Sequence, residues 1–218
     1  HMRLVFIPGL GENPDVFDLV APALPGEKVF IDNWKELHGQ RNAMDYARHL
    51  ATKFQINKDD VVIGHSMGGW VAIHLKQLTG CRAVQIASWT NQKKIIRPFP
   101  LPDWLSVTLA RLGLYFLPSV RNLLVRKNYE GKPSRDFFIS VFNRLMSADR
   151  TKVVAQLHVL LNQTALSPEA QPDLRIHAKG DLLISVPDEP FIEVLGDHFT
   201  IITHPESVSG PIAEILAG

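Results

Sequence analysis

Ser66 stands in Gly64-His65-Ser66-Met67-Gly68-Gly69. The apolar, β-branched run Val61-Val62-Ile63 precedes it, and Trp70, Val71, Ile73 and Leu75 follow at helical spacing. This is G-x-S-x-G between a strand and a helix. So sharp a turn holds its apex residue in a strained backbone conformation and lifts the hydroxyl clear of the sheet. It tolerates almost no side chain two residues to either side, hence Gly64 and Gly68. A serine hydroxyl is protonated at neutral pH and is a poor nucleophile alone. It needs a base within hydrogen-bond reach, and the base needs a carboxylate to orient it. The competing reading is a glycine-rich loop whose serine only caps the helix.

The partners of such a serine follow it in the order acid, then histidine. Of the nine histidines, His198 fits, in a loop just past the last apolar run. His38 and His49 precede the serine, and His65 is the variable residue inside the turn. His74 and His158 fall on helical patterns, His177 lies within a strand, and His204 adjoins the last helix. For the acid, Asp181 is the first choice, three residues past the run 174–178 on the edge where Ser66 emerges. Asp188 and Glu189 lie in the same connection and are second choices. Asp197 adjoins His198, and neighbouring side chains diverge. No carboxylate follows the run 83–87 until Asp103, which disfavours an acid from the preceding strand. A tetrahedral intermediate also needs two preorganised backbone N–H donors. Met67, just after the nucleophile, supplies one. Leu10, between Gly9 and Gly11 after the first strand, supplies the other. The plainer reading of Pro8-Gly9-Leu10-Gly11 is a tight turn.

A frame must hold these residues. Runs 3–7, 28–31, 60–64, 83–87, 174–178 and 191–195 read as short strands. Between them, Pro14 with Asn13 as cap opens one helix that carries Val16, Phe17, Val20 and Leu24. Asn42 caps another with Ala43, Tyr46, Ala47, Leu50 and Phe54, and a third covers 67–78 and stops at Gly80. Pro205 opens the last, through Val208, Ile212 and Ile215. Alternating strands and helices predict a parallel sheet covered on both faces. The alternation breaks from Trp89 to Gln171, where proline-broken aromatic segments give way to three helical patterns. These are Leu105, Leu109, Leu112 and Phe116; Phe137, Val141, Leu145 and Met146; and Val153, Val154, Leu157 and Leu160. Roughly 80 residues of this kind are too long and too apolar for a loop. The expected division is an α/β core of 2–88 and 172–218, with a helical lid of 89–171.

Together these features resemble the α/β-hydrolase superfamily, and the match covers nearly the whole chain. Gly64-His65-Ser66-Met67-Gly68-Gly69 is similar to the nucleophile turn of its esterase, thioesterase and lyase-like members. Gly180-Asp181 with Val186-Pro187 resembles the acid loop, and Gly196-Asp197-His198-Phe199 the histidine loop in its thioesterase-like form. The resemblance implies a short, mainly parallel sheet with a helical lid inserted after the strand at 83–87. Three features depart from the pattern. Pro8-Gly9 replaces the usual His-Gly of the oxyanion loop. The chain begins at the strand carrying that loop, so two leading strands are expected to be absent. Only 16 residues separate Asp181 from His198, Pro187 and Pro190 among them, so the helix that normally crosses there should be short or missing.

The 218 residues, 45% of them hydrophobic, suffice for one full core. His1 before Met2 reads as an expression remnant. No run reaches the ~18 uncharged apolar residues of a membrane span, and no charged-then-apolar leader is visible. A soluble cytoplasmic protein without membrane insertion is the expectation. The single Cys81 forbids an internal disulfide and reads as packing. Cysteine and histidine spacing implies no zinc site, and no cofactor is expected. No nucleic-acid module is recognisable. The net charge of +1 hides an asymmetry: 89–171 carries 12 Lys and Arg against 5 Asp and Glu, near +7, and leaves the rest near −6. A basic lid would steer an anionic ligand such as a carboxylate or a coenzyme A thioester. A solvated basic surface is the competing reading. The functional expectation is a serine hydrolase of a small ester or thioester. C–C hydrolysis or a lyase step with the same triad, or an inactive binding module on the same scaffold, are the alternatives.

Overall fold

In the computed structural model, which describes residues 2–218, the run Arg3–Ile7 forms strand β1. Its side chains alternate, Leu4 and Phe6 into one apolar cluster and Val5 and Ile7 into another, and all four are fully buried. A strand covered on both faces reads as a continuous apolar run, as this one does. The other strands are β2 (Glu27–Phe30), β3 (Val61–His65), β4 (Arg82–Ile86), β5 (Leu174–Ala178) and β6 (Ile192–Val194). They stand in the order β2-β1-β3-β4-β5-β6, and every neighbouring pair is parallel. Helices α1 (Asn33–Glu36) and α2 (Ala43–Phe54) connect β2 to β3, and α3 (Met67–Thr79) connects β3 to β4. The predicted caps of two hold: the Asn42 side chain accepts from the Asp45 N–H at 2.9 Å, and Gly80 closes α3 in the left-handed region.

The helix expected from Pro14 does not form. Two single 3₁₀ turns, Pro14–Phe17 and Ala21–Ala23, take its place, and Asn13 makes no side-chain cap bond. Pro22 has no N–H to give the preceding turn, and its ring obstructs a continuing α-helix. Val16, Phe17 and Val20 still reach the sheet and fill its second face with Val208 and Ile212.

Between β4 and β5 lie α4 (Asp103–Arg111), α5 (Pro118–Leu124, continued by a wide turn over Val125–Tyr129), α6 (Arg135–Ser147) and α7 (Arg150–Leu161). The first helical pattern was expected to reach Phe116 but stops earlier. Gly113 turns left-handed at φ 73°, and the Leu114 N–H closes back onto the Leu109 carbonyl at 2.8 Å. Helix α5 has no clear signal in the sequence: its seven residues carry only one partly buried apolar pair, Val120 and Leu124, too little to show a period. Helix α7 is fastened to the core by the Trp70 indole N–H, which donates to the Val159 carbonyl at 3.1 Å. The connection 179–191 from β5 to β6 contains no helix. It is instead tied to the start of the insertion, where Ile96 N–H donates to Leu183 O and Ser185 N–H to Lys94 O, each at 2.8 Å. Helices α8 (Thr200–Thr203) and α9 (Pro205–Ala217) complete the chain. Among the described residues, no helix is long and apolar enough to cross a membrane.

Candidate active site

Ser66 sits between β3 and α3 at φ 54° and ψ −120°, a conformation that few non-glycine residues adopt. The neighbouring glycines are required by space rather than by φ. A Cβ on Gly64 would lie 2.1 Å from the Gly68 backbone, and one on Gly68 only 1.8 Å from the Ile7 carbonyl of β1. The strained apex is held from several sides. Ser66 N–H donates to Ile86 O at 2.9 Å, and Ser66 O accepts from the Gly69 N–H at 2.9 Å and from the Ser88 hydroxyl at 2.7 Å. Ser88 had no signal in the sequence, because its partner is twenty-two positions away.

Asp181 and His198 come together as expected. His198 Nδ1 lies 2.9 Å from Asp181 Oδ2, and both side chains are buried. The other carboxylate oxygen accepts from the Leu183 and Ile184 N–H groups, each at 2.9 Å. Burial opposes the charge on Asp181, but His198, His177 at 3.5 Å and the Ile184 N–H outweigh it and hold the carboxyl below the usual carboxylate range. With Nδ1–H donating to the carboxylate, His198 presents Nε2 as an acceptor. The Ser66 hydroxyl has no hydrogen-bond partner among the described residues, so of the two contacts expected of His198 the one to Asp181 is formed and the one to Ser66 is not. Such links commonly tighten only around substrate. The second-choice acids lie elsewhere: Asp188 is exposed and pairs with Lys94 at 2.8 Å, and Glu189 stands 3.8 Å from Arg175. Asp197 accepts from the Phe199 N–H at 2.9 Å and from the Ser134 hydroxyl of the insertion.

The loop after β1 is pinned at nearly every polar atom. Gly9 N–H donates to Glu12 Oε1 at 2.6 Å, Gly11 N–H to Gln156 Oε1 at 2.9 Å, and Arg144 Nη1 to Gly11 O at 2.7 Å. Asn33 holds the Pro8 carbonyl at 2.9 Å and is itself held by the Tyr46 hydroxyl at 2.6 Å. Among the described residues, the Leu10 N–H and the Met67 N–H are left without a partner. Met67 also opens a thirteen-residue helix, whose N-terminal end favours negative charge.

Ser66 and His198 line one cavity of about 190 Å³. Its walls are largely apolar, with Phe116, Phe138, Phe142 and Leu145 from the insertion facing Leu10 and Ile184 from the core. Of the insertion's basic residues only Arg97 lines the cavity, and its guanidinium is engaged by Asp103 at 2.8 and 3.0 Å. The remaining buried histidines are occupied. His74 donates from Nδ1 to Trp70 O and accepts the Thr164 hydroxyl, and burial pushes its pKa down to about 4. Burial likewise lowers His177, which donates to Ile184 O at 2.9 Å. Cys81 is buried, and burial raises its thiol to about 11, which fits a packing role.

The chain matches the model of the alpha/beta hydrolase family over residues 4–208 and belongs to that family, a class of hydrolytic enzymes. Its fold is the α/β-hydrolase fold. Solved structures share the architecture at low identity. A hydrolase from Oleispira antarctica is 12% identical with a TM-score of 0.73, covering 100% of this chain and 92% of that one. The enol-lactonase from Burkholderia xenovorans is 12% identical with a TM-score of 0.74, covering 99% and 91%. A thermophilic esterase from Thermogutta terrifontis is 15% identical with a TM-score of 0.72, covering 100% and 90%. No curated protein matches the chain in sequence.

Proposed function

We propose that the protein is a serine hydrolase that cleaves a carboxylic ester or thioester with an apolar acyl part. The observation that carries this reading is the Asp181–His198 hydrogen bond at 2.9 Å, on a cavity that also receives Ser66 from its strained turn. Family membership supports the hydrolytic class. In the proposed reaction, His198 Nε2 takes the Ser66 proton as Oγ attacks the substrate carbonyl, and Asp181 stabilises the imidazolium that forms. The Leu10 and Met67 N–H groups receive the oxyanion. His198 then protonates the leaving alcohol or thiol, and water attacks the acyl-enzyme by the same route in reverse. The helices of 89–171 act as the lid whose aromatic side chains hold the acyl group. The pairing of Arg97 with Asp103 favours an uncharged acyl group over an anionic one at this cavity.

A fluorophosphonate probe tests the nucleophile. Labelling of the wild-type chain that disappears in Ser66→Ala is the expected result. Labelling that survives the substitution would remove Ser66 from the mechanism. A series of p-nitrophenyl esters of rising acyl length, run beside acyl thioesters and β-diketones, then separates ester and thioester cleavage from C–C cleavage.

A further inference from the structure

We propose that Glu12 and His65 form a second carboxylate–imidazole pair that positions the catalytic base, by bridging the oxyanion loop, the nucleophile turn and the backbone of His198. The inference rests on the roles given above to Ser66, Asp181 and His198.

His65 precedes Ser66 and is fully buried, as is nearly all of Glu12. Its Nδ1 lies 2.9 Å from the Glu12 carboxylate, and its Nε2 lies 2.9 Å from the backbone carbonyl of His198. A carbonyl only accepts, so Nε2 carries a proton. The remaining proton sits between Nδ1 and the carboxylate, on either partner, and both arrangements preserve a hydrogen bond at each end of the ring. Burial works against a charged ring here, but Glu12 and the His198 carbonyl outweigh it and raise the His65 pKa. Glu12 Oε1 also accepts the Gly9 N–H at 2.6 Å. The bridge thus runs from the loop after β1, through the end of β3, to the loop after β6. Its two spans cover 53 and 133 positions of sequence.

The two pairs divide the task. Asp181 holds the His198 ring through Nδ1, and His65 holds the His198 main chain through its carbonyl. The imidazoles stand 5.1 Å apart between centroids, so a shift of the His198 backbone moves the base relative to Ser66. His65 itself is no second base, because both its nitrogens are engaged. It acts through His198 and is a positioning residue.

Amide substitutions separate the two ends of the ring. The amide nitrogen of Gln falls near Nε2 and that of Asn near Nδ1. His65→Gln therefore keeps a donor for the His198 carbonyl, and His65→Asn keeps only the Glu12 contact. We expect H65N to lower kcat on a p-nitrophenyl ester by about 10- to 100-fold with KM nearly unchanged, and H65Q to recover most of that loss. Glu12→Gln, which still accepts from Gly9 and can donate to Nδ1, should stay near wild type, and Glu12→Ala should fall with H65N. A readout independent of turnover is the NMR signal of the His198 Nδ1 proton, sharp in wild type and H65Q and exchange-broadened in H65N. Equal kcat in H65N and H65Q, or an unbroadened signal in H65N, would overturn the proposal. So would losses that merely track the thermal midpoint. If H65N does not fold, the Glu12→Ala and Glu12→Gln pair decides on the same readouts. A wild-type chain that the fluorophosphonate leaves unlabelled would sink the serine-hydrolase reading instead, and the NMR comparison would still judge the bridge.

Discussion

On the sheet side of the cavity, the Ser66 backbone is held by the Ile86 carbonyl of β4 and by the first turn of α3, and the glycines around it leave no room for a methyl group. On the other side, α5 buries no residue, and Gly131 in the loop that follows has no neighbour within 4 Å of where a Cβ would stand. The Arg97–Asp103 pair on the same wall is half exposed. The contrast assigns different tasks to the two sides. In the proposed reaction, the atoms that must meet a reacting carbonyl within tenths of an ångström are borne by strand ends and a helix start. The side chains proposed to enclose an apolar acyl group are borne by the less tightly packed helices of the insertion. The insertion nevertheless reaches across, since Arg144 and Gln156 secure Gly11 in the loop after β1.

The comparison is sharpest in rates. His198→Ala should lower turnover of an aryl ester by a factor on the order of 10³ or more, and Asp181→Asn by about 10³ to 10⁴, with the fold intact by circular dichroism. Activity left nearly unchanged in either would be incompatible with the assigned roles. Next come matched glycine substitutions. Gly68→Ala must displace the Ile7 carbonyl or the helix start and should cost about 3 kcal/mol or more in urea unfolding. Gly131→Ala meets only its left-handed backbone at φ 72° and should cost about 1 kcal/mol. Equal costs would mean that the two sides are equally constrained.

Smaller again is the effect of Phe116→Ala on selectivity. The preference for octanoyl over acetyl ester should fall about tenfold, and acetyl ester turnover should stay within about twofold. A uniform loss on both esters would place Phe116 in the catalytic frame instead. The smallest effect concerns acid. The Asp181 carboxyl is held below its ordinary value in the folded state. Its contribution to stability is therefore complete above pH ~4, the unfolded value, and is lost as the pH falls through the folded value. Urea midpoints measured from pH 5 to pH 3 should drop less steeply in Asp181→Asn than in wild type. Parallel slopes would argue against that coupling.

Much of the frame was legible because local chemistry and burial agree there. The strands at 3–7 and 174–178 are legible to the residue, the first because Leu4 to Ile7 are apolar on both faces, the second because Leu174, Ile176 and Ala178 alternate with Arg175 and His177. Asn42 and Gly80 marked helix ends by mechanisms that need only adjacent backbone. Legibility failed where no local signal existed. Helix α5 lacks a buried stripe, and the turns after Asn13 keep their apolar residues while Pro22 denies them an α-helix. The basic charge of 89–171 was visible, but not that Arg97 alone would reach the cavity and meet Asp103 there.

The sequence by itself determined the glycine-flanked turn at Ser66 and the parallel sheet, because each follows from side-chain size or period along a few residues, while the order serine, acid, histidine is what the resemblance to the α/β-hydrolase superfamily implies. Only the tertiary structure decided that Asp181, and neither Asp188 nor Glu189, lies against His198, and that Leu10 and Met67 keep free N–H groups. It also decided that His65 reaches Glu12 on one side and the His198 carbonyl on the other. The Asp181–His198 pair spans 17 positions and the two contacts of His65 span 53 and 133, and only strand order and packing bring them within a hydrogen bond.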